Sequence, residues 1–389
     1  MPRWCGALLS VILAVGLLSP TAGWGQQEAG WTVTPSFALS EVFDDNIFSR
    51  NSDSTRQSDL ITRLTPGLQA GYYSIPLTLV GRYTFDAEVY ARHPELNKAQ
   101  IRQQASAEVR YLPIRPLTLS MNGSYARTQT PQDLNTLTGI ESARSRAESY
   151  SVSPSASYQV NSLTTIGSHY SFTRDKRGGG VETDTNAFSI DLQRRIAAQD
   201  TGTITYAFRH YQFDQQETSG GNDTTTSHVG SLTWSHTFTP LTSLTLQGGA
   251  RFSEGTVNPE VSATIQHRLQ QGQLSFTYAR SQTTAIGLGG TIDTESFSAT
   301  ASYEPIRFLR FSATPAFFRN ERQNATSRVY SLGLNASYEI SRWLSLVGSY
   351  RFSFQDGAFS STTGGASNQE ILRNVALIQL VTSYPYRLD

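Results

Sequence analysis

The dominant pattern along the chain, from Trp31 onward, is a period of two in which apolar and polar residues alternate. In residues 77–89 the odd positions are apolar or glycine and the even positions are mostly polar. The same alternation runs through 117–125, 149–158 and 330–340. Because successive side chains of a β-strand point to opposite faces, each segment predicts a strand with one apolar and one polar face.

The length of these segments indicates strands that cross a membrane. They extend over about 11 to 13 residues, whereas strands of ordinary sheets have about 5 or 6 and a tilted strand needs about 9 to 11 to cross a bilayer. The apolar face is rich in Leu, Ala, Gly, Tyr and Phe rather than Ile and Val. A soluble sandwich would need two such sheets to cover each other. We therefore expect the apolar face to contact lipid.

The connections between the segments alternate between short and long, as in a chain of hairpins. Short connections lie near 73–76, 112–116, 160–162, 197–200, 239–242, 270–272, 304–307 and 341–342. Long polar connections lie near 43–57, 90–99, 128–147, 174–184, 214–227, 253–258, 281–293, 319–327 and 355–369. This count predicts an all-β fold: a single transmembrane antiparallel up-and-down β-barrel of about 18 strands, with 16 as the alternative.

Aromatic residues support a barrel that spans a membrane. One set falls beside short connections: Tyr72, Tyr73, Tyr111, Tyr158, Phe238, Tyr303, Tyr338 and Trp343. The other set falls nearer the long ones: Tyr125, Tyr170, Phe172, Phe208, Phe252, Tyr278, Phe317, Tyr350 and Phe352. Two aromatic girdles at the two interfaces would give this distribution, although aromatic residues also favour strands in general.

The N-terminal segment has the features of a secretory signal peptide. A short basic start precedes an apolar run from Ala7 to Leu18, and small residues follow. We expect cleavage after Gly25, which divides the chain into a signal peptide, 1–25, and an outer-membrane β-barrel, 26–389. The only cysteine, Cys5, lies in the first part. An even number of strands would place both termini on the periplasmic side, in the outer membrane of a Gram-negative bacterium.

The composition excludes several other classes of protein. Charged residues make up 16% of the chain, below the globular norm of about 25%, and 11% aromatic residues argue against disorder. Basic and acidic residues number 31 each, so the charge gives no support for nucleic-acid binding. The six histidines are scattered, and neither a metal or cofactor site nor a catalytic motif is predicted.

Charged residues on the polar face of the strands predict the character of the lumen. The predicted lumen-lining residues are Arg63, Arg82, Arg102, Arg110, Arg209, Arg251, Arg268, Arg310, Arg351, Arg373, Asp86 and Glu88. Most other acids, such as Asp44, Asp133 and Asp293, fall in predicted loops. The pattern thus predicts a basic channel that favours anions and an acidic surface. In the alternative interpretation, the arginines only pair with neighbouring acids across the strands.

A cluster of acids ends the first strand. Glu41, Asp44, Asp45 and Asn46 could in principle hold a calcium ion. We favour the simpler interpretation that the Asp-Asp-Asn sequence starts a loop, because these side chains cap turns.

The same region resembles a known family. Phe43-Asp-Asp-Asn-Ile-Phe48, followed by Ser58-Asp-Leu-Ile-Thr-Arg-Leu-Thr-Pro-Gly-Leu68, is similar to the outer-membrane β-barrel porin type 2 family. The similar motifs are confined to residues 37–72, while the architecture agrees over the whole chain after residue 25. The resemblance implies a barrel that serves exopolysaccharide export or acts as a porin.

These observations favour a conduit over two other classes of function. The conduit would carry an anionic polysaccharide outward or anionic solutes, or would be a general diffusion porin without anion preference. An outer-membrane enzyme and a surface-presenting barrel are the other hypotheses. The expected partners are outer-membrane lipid and lipopolysaccharide, the barrel assembly machinery and, for an exporter, a periplasmic polysaccharide-export partner.

Overall fold

The computed structural model describes residues 29–51, 55–214, 223–322, 325–357 and 370–388. The predicted signal peptide lies outside the described residues, as do large parts of the predicted connections 214–227 and 355–369. Within the described ranges, no helix is long and apolar enough to cross a membrane.

Eighteen long antiparallel strands and one short one form a single closed sheet. The strands are β1 Gly30–Asp44, β2 Asp59–Tyr73, β3 Leu77–Tyr90, β4 Lys98–Ile114, β5 Leu117–Thr128, β6 Ala147–Asn161, β7 Thr164–Arg177, β8 Glu182–Arg195, β9 Asp200–Asp214, β10 Asp223–Thr239, β11 Thr242–Ser253, β12 Thr256–Leu269, β13 Gly272–Thr283, β14 Ile292–Ile306, β15 Leu309–Arg322, β16 Ala325–Ser341, β17 Leu344–Asp356, β18 Glu370–Ser383 and β19 Tyr386–Leu388. Each long strand pairs with its neighbours in sequence, whereas β19 pairs with β1. The prediction of an 18-stranded up-and-down barrel is confirmed.

The barrel closes between its first and last long strands. β1 pairs with β2 on one side and with β18 on the other, where Ser36 lies opposite Ser383 and Asp44 opposite Val375. The short β19 extends this seam beyond β18, since Trp31 lies opposite Leu388. Closure leaves no open edge along the seam, as backbone groups in lipid require.

Two predicted long connections are wrong. β15 and β16 stay paired as far as Arg322 and Ala325, so most of 319–327 belongs to these two strands. Residues 253–258 contain only a two-residue turn, because Ser253 pairs with Thr256 and β12 begins there. Glu254 and Gly255 have φ angles of 51° and 78°, the left-handed conformation that a type I′ hairpin turn needs at both central positions. The polar residues beyond the turn belong to the strand.

Large apolar side chains cover the outside of the barrel and include two aromatic rows. Near the long connections, the rings of Tyr278, Phe297, Phe317 and Tyr330 follow one another around the wall, with centroids 4.7, 6.3 and 5.0 Å apart. Near the short turns, Trp31 lies 5.2 Å from Tyr72. Arg319 and Arg328 lie opposite each other two residues beyond the first row. This order of apolar band, aromatic row and charged rim is typical of a transmembrane barrel.

The segment between β5 and β6, residues 129–146, does not project from the barrel but folds into it; we call it the inward loop. The Asn320 side-chain amide donates to the Thr138 carbonyl at 2.9 Å, and the Glu141 backbone N–H donates to the Gln355 side chain at 2.7 Å. Asn320 and Gln355 belong to β15 and β17, so the loop reaches across the lumen. Most of the predicted long connection 128–147 therefore lies inside the barrel and not at its surface, since a polar loop suits a polar lumen as well as it suits solvent.

The tip of the β13–β14 hairpin also turns inward and packs against the inward loop. Pairing of β12 with β13 stops at Val261 and Arg280, while β13 and β14 remain paired as far as Thr283 and Ile292. Beyond that point Ile140, Ala285, Leu288 and Ile292 form a small buried cluster. The long-connection end of the lumen is therefore narrowed from two sides.

Candidate constriction site

The structure places all twelve predicted lumen-lining residues on the face of the strands opposite the exposed apolar side chains. Arg82, for example, alternates with the outward-facing Tyr83, which is 40% exposed. The twelve fall into three groups at different places on the wall. That they line a conducting pore remains a prediction.

The first group surrounds a polar cavity of about 170 Å³ between the wall and the inward loop. Wall strands β1 to β4, β17 and β18 contribute to its lining. Five arginines line it, namely Arg63, Arg102, Arg144, Arg351 and Arg373. Three carboxylates line it as well, those of Asp44, Glu88 and Asp133.

Asp133 connects the inward loop to two distant strands. Its Oδ2 lies 2.7 Å from Nη2 of Arg102 on β4, and its Oδ1 lies 3.2 Å from Nη1 of Arg351 on β17. Burial raises the pKa of Asp133, but the charges of Arg102, Arg351 and Arg373 outweigh burial and hold the pKa below its usual value. Asp133 is therefore an ionised carboxylate held between guanidinium groups at neutral pH.

Arg373 on β18 joins the inward loop to the end of β1. Its Nη2 and Nε lie 2.6 and 3.1 Å from the two carboxylate oxygens of Asp44, a bidentate pair. Its Nη1 donates to the Gln132 side chain at 3.3 Å and lies 3.8 Å from Oε2 of Glu141. Both members of the Arg373–Asp44 pair are buried.

Glu141 is the buried acid of the inward loop. It accepts hydrogen bonds from the hydroxyl groups of Ser353 at 2.5 Å and Ser49 at 3.3 Å. Burial raises the pKa of Glu141 above its ordinary value, and Arg373 only partly opposes this rise. The surroundings of Glu141 therefore favour the protonated, neutral form of its carboxyl group more than water does.

On the opposite side of the cavity, Glu88 on β3 is the central acid. Its Oε1 lies 2.9 Å from Nη2 of Arg63 and 3.5 Å from Nε of Arg102. Its Oε2 accepts a hydrogen bond from the Tyr90 hydroxyl at 2.6 Å. Arg144 of the inward loop in turn donates to that hydroxyl at 2.8 Å and lies over the Tyr90 ring. Asp86, the last acid predicted here, lies 3.5 Å from Arg63.

The second group lies on β9, β11 and β12, away from the cavity. Arg209 makes a bidentate pair with Glu260, with distances of 2.8 and 3.1 Å. Arg251 lies 3.5 Å from Glu260 and 2.6 Å from Asp293. Asp293 is the second residue of β14 and lies at the base of the inward-folded tip, so this cluster fixes the base of the tip to β11.

The third group lies nearer the short-turn ends of the strands. Arg82 donates to the Gln69 side chain at 2.6 Å, and Arg310 pairs with Glu304. Arg110 and Arg268 are exposed on β4 and β12. The structure does not bring these four arginines into the cavity.

Sequence reasoning missed most of the acids at this site. Asp44, Asp133 and Asp293 were expected at an acidic surface, yet each pairs with a predicted lumen arginine. The expected division into a basic lumen and an acidic surface is wrong to that extent. Asp133 and Glu141 gave no local signal in the sequence. Their partners Arg351 and Ser353 lie 218 and 212 positions away in the chain.

The acids at the end of β1 do not converge on one point. Asp44 faces Arg373, Asp45 accepts from the Asn374 side chain at 2.7 Å, and Glu41 accepts from the Thr62 hydroxyl on the outer face. The Asn46 backbone N–H donates to the Asp44 carboxylate at 3.0 Å, which is the predicted turn. Among the described residues, no three metal-ligating side chains are grouped so that they could hold an ion.

In two of the pairs around the cavity, the arginine side chain is much more exposed than the acid, whereas Arg63 and Asp86 are equally exposed. The Arg351 side chain is 58% exposed and its partner Asp133 is 23% exposed. Arg102 is 25% exposed, whereas Glu88 behind it is 3% exposed. At these two pairs the accessible surface is therefore more positive than a one-to-one pairing of charges suggests.

A closed antiparallel barrel with an apolar exterior and a charged interior is a transmembrane β-barrel of the outer-membrane type. No family model matches the chain, and no curated protein matches it either. The family resemblance of residues 37–72 therefore remains a prediction.

Solved structures with a similar fold are numerous. The chain is similar to OccK9 (OpdG) of Pseudomonas aeruginosa, with a TM-score of 0.50, 10% sequence identity and coverage of 92% of this chain and 98% of that one. OccAB4 of Acinetobacter baumannii has a TM-score of 0.49 and 8% identity, with coverage of 92% and 99%. The siderophore receptor PirA of Pseudomonas aeruginosa has a TM-score of 0.46 and 8% identity, with coverage of 90% and 80%. The likeness to OccK9 extends over nearly the full length of both barrels and concerns the fold.

Proposed function

We propose that this protein is a porin-like channel of the outer membrane through which small hydrophilic solutes diffuse, and that it favours anions. We infer a channel rather than an enzyme, with both termini on the periplasmic side. A barrel of 16 to 18 strands leaves an aqueous lumen unless loops fill it. Here the inward loop narrows that lumen and places charged groups where a solute must pass.

The observation that carries the anion preference is the unequal exposure of the paired charges. Arg351 is well exposed while the acids behind the wall arginines are buried, and exposed Arg82 and Arg110 continue the basic surface toward the short turns. Rings of arginine favour anions in a pore. Low-dielectric walls around the lumen strengthen their field.

A general diffusion porin without anion preference is the second candidate, because most arginines of the site have an acidic partner. Arg209 and Arg251, for example, share Glu260. Export of an anionic polysaccharide, which the family resemblance implies, is less favoured than passage of small solutes. The inward loop crosses the lumen on the route that a polymer would take.

Reversal potentials across a salt gradient in a planar bilayer test this proposal. We expect anion preference in the unmutated protein, and we expect it to fall when Arg82, Arg110 and Arg351 are all changed to Ser. The matched control changes Arg280, Arg319 and Arg328 to Ser, which removes the same charge from the outer face. Cation preference in the unmutated protein would contradict the anion selectivity, and absence of any conductance would contradict the channel itself.

A further inference from the structure

Two guanidinium groups converge on one carboxylate that belongs to the inward loop and not to the wall. Arg102 and Arg351 lie 2.7 and 3.2 Å from the two oxygens of Asp133. A third arginine, Arg373, holds the neighbouring Gln132 at 3.3 Å. β4 lies on one side of the barrel seam and β17 on the other, so two separate parts of the wall contribute to one anion-binding arrangement.

The arrangement is the one that binds a carboxylate or phosphate group of a solute. Planar guanidinium groups recognise both kinds of anion through paired, charge-assisted hydrogen bonds. The Thr130 hydroxyl, which accepts from Arg102 at 3.2 Å, adds a neutral polar group beside the arginines. Since more than half of the Arg351 side chain is exposed, a small solute in the lumen can reach it.

We propose that Arg102 and Arg351 form a binding site for a small carboxylate- or phosphate-bearing solute, and that Asp133 is a tethered competitor for that site. This inference rests on the proposed channel function and adds a mode of regulation to it. In the structure the carboxylate of Asp133 takes the place of the solute anion. An incoming anion displaces it, the turn that carries it moves aside, and the solute then occupies the site within the constriction.

The attachments of the inward loop allow such a local movement. Its middle is anchored independently through Thr138 to Asn320 and through Glu141 to Gln355. Asp133 lies earlier, at the end of the short 3-10 turn Pro131–Asp133. Within the loop end itself, Asp133 accepts only a long hydrogen bond, 3.3 Å, from the Thr128 hydroxyl. A shift of the turn breaks the hydrogen bonds of Arg373 with Gln132 and of Arg102 with Thr130, while the anchors at Thr138 and Glu141 stay in place.

The exchange conserves the number of ion pairs. The solute anion takes over the contacts with Arg102 and Arg351, and the carboxylate of Asp133 becomes hydrated in the lumen. A competitor that occupies a site nine-tenths of the time lowers the apparent affinity for a free ligand about tenfold. Removing the charge of Asp133 should therefore raise the apparent affinity for the free anion about tenfold.

Block of chloride current by inorganic phosphate measures this competition. The full-length protein is placed in a planar bilayer in potassium chloride, and the phosphate concentration that halves the current is determined. We expect Asp133→Asn to lower this concentration about tenfold. The matched control, Asp191→Asn, removes an acid on β8 that faces His169 on β7 and should change this concentration by less than about twofold. Arg351→Gln should raise the phosphate concentration that halves the current.

The outcomes separate this inference from the proposed function. An anion-preferring channel in which Asp133→Asn leaves phosphate block unchanged, or weakens it, would overturn the tethered competitor alone. A protein without channel activity would overturn the proposed function instead.

A second measurement follows the movement of the turn without removing Asp133. Gln132→Cys places a thiol beside the site, and the only native cysteine, Cys5, lies in the predicted signal peptide. We expect inorganic phosphate to accelerate modification of this thiol by a water-soluble reagent, because displacement exposes the turn. An unchanged or slower reaction would contradict displacement.

Discussion

At the scale of single residues, the barrel interior is organised by arginines that share acids. Arg102 contacts both Glu88 and Asp133, while Arg251 contacts both Glu260 and Asp293. In each case one acid belongs to the wall, and the other lies in an inward-folded segment or at its base. The same guanidinium groups that shape the electrostatics of the lumen therefore also attach the segments that narrow it.

Breaking the Arg373–Asp44 pair should lower the free energy of unfolding strongly, because both side chains are buried and the geometry is bidentate. Asp44→Asn leaves a buried guanidinium without its main partner, which costs about 3 kcal/mol. The control Asp45→Asn alters an acid that accepts from Asn374 instead of from an arginine, and should cost less than about 1 kcal/mol. Urea unfolding in detergent measures both, and equal effects would contradict this ranking.

Protonation of Glu141 predicts a pH dependence. Burial raises its pKa in the folded protein, so the folded state binds an extra proton above the ordinary value of 4.5. The stability that this proton contributes is present below pH 4.5 and is lost as the pH rises through the folded pKa. The free energy of unfolding should therefore fall between pH 4.5 and 7 by more in the unmutated protein than in Glu141→Gln. Parallel pH profiles of the two proteins would exclude this role.

At the scale of elements, alternation along the sequence predicted the strands, but it did not predict which connections fold into the lumen and which project from the barrel. The period of two in 77–89 depends on side chains that face lipid or lumen within one strand, so it is visible locally. The contact of Glu141 with Gln355 joins residues that are 214 positions apart. No local pattern encodes such a contact, because Ser, Thr, Asn and Gly suit a hydrated lumen and a hydrated surface equally well.

The inward loop should set the conductance. Replacing residues 133–144 by a short Gly-Ser connection would remove the segment that crosses the lumen. Single-channel conductance should then rise roughly twofold or more, since a barrel of this size otherwise leaves an open aqueous channel. A heat-modifiable band on gels would verify that the variant still forms a barrel. Unchanged conductance in a folded variant would mean that the loop does not limit the current.

At the scale of the whole molecule, the two ends of the barrel differ in kind. At one end, connections such as Thr239–Thr242 are tight turns, and Trp31 and Tyr72 lie close by. At the other end, most connections are longer, charged residues follow the aromatic row, and two segments fold inward. This asymmetry is the basis for the proposed orientation, with the tight turns in the periplasm and the constriction facing outward.

Epitope tags on intact cells test that orientation. The turn after β7 is suitable, because Gly178 and Gly179 are exposed, and a tag there should bind antibody on intact cells. A tag between Pro240 and Leu241 should bind only after the outer membrane is permeabilised. A tag in the inward loop, after Asn135, should react weakly even though it lies at the same end, because this residue is buried and the loop is enclosed by the wall. The reverse pattern for the first two tags would mean that the barrel is inserted the other way round. Strong antibody binding to the tag after Asn135 on intact cells would instead mean that the inward loop lies outside the lumen when the barrel is in the membrane.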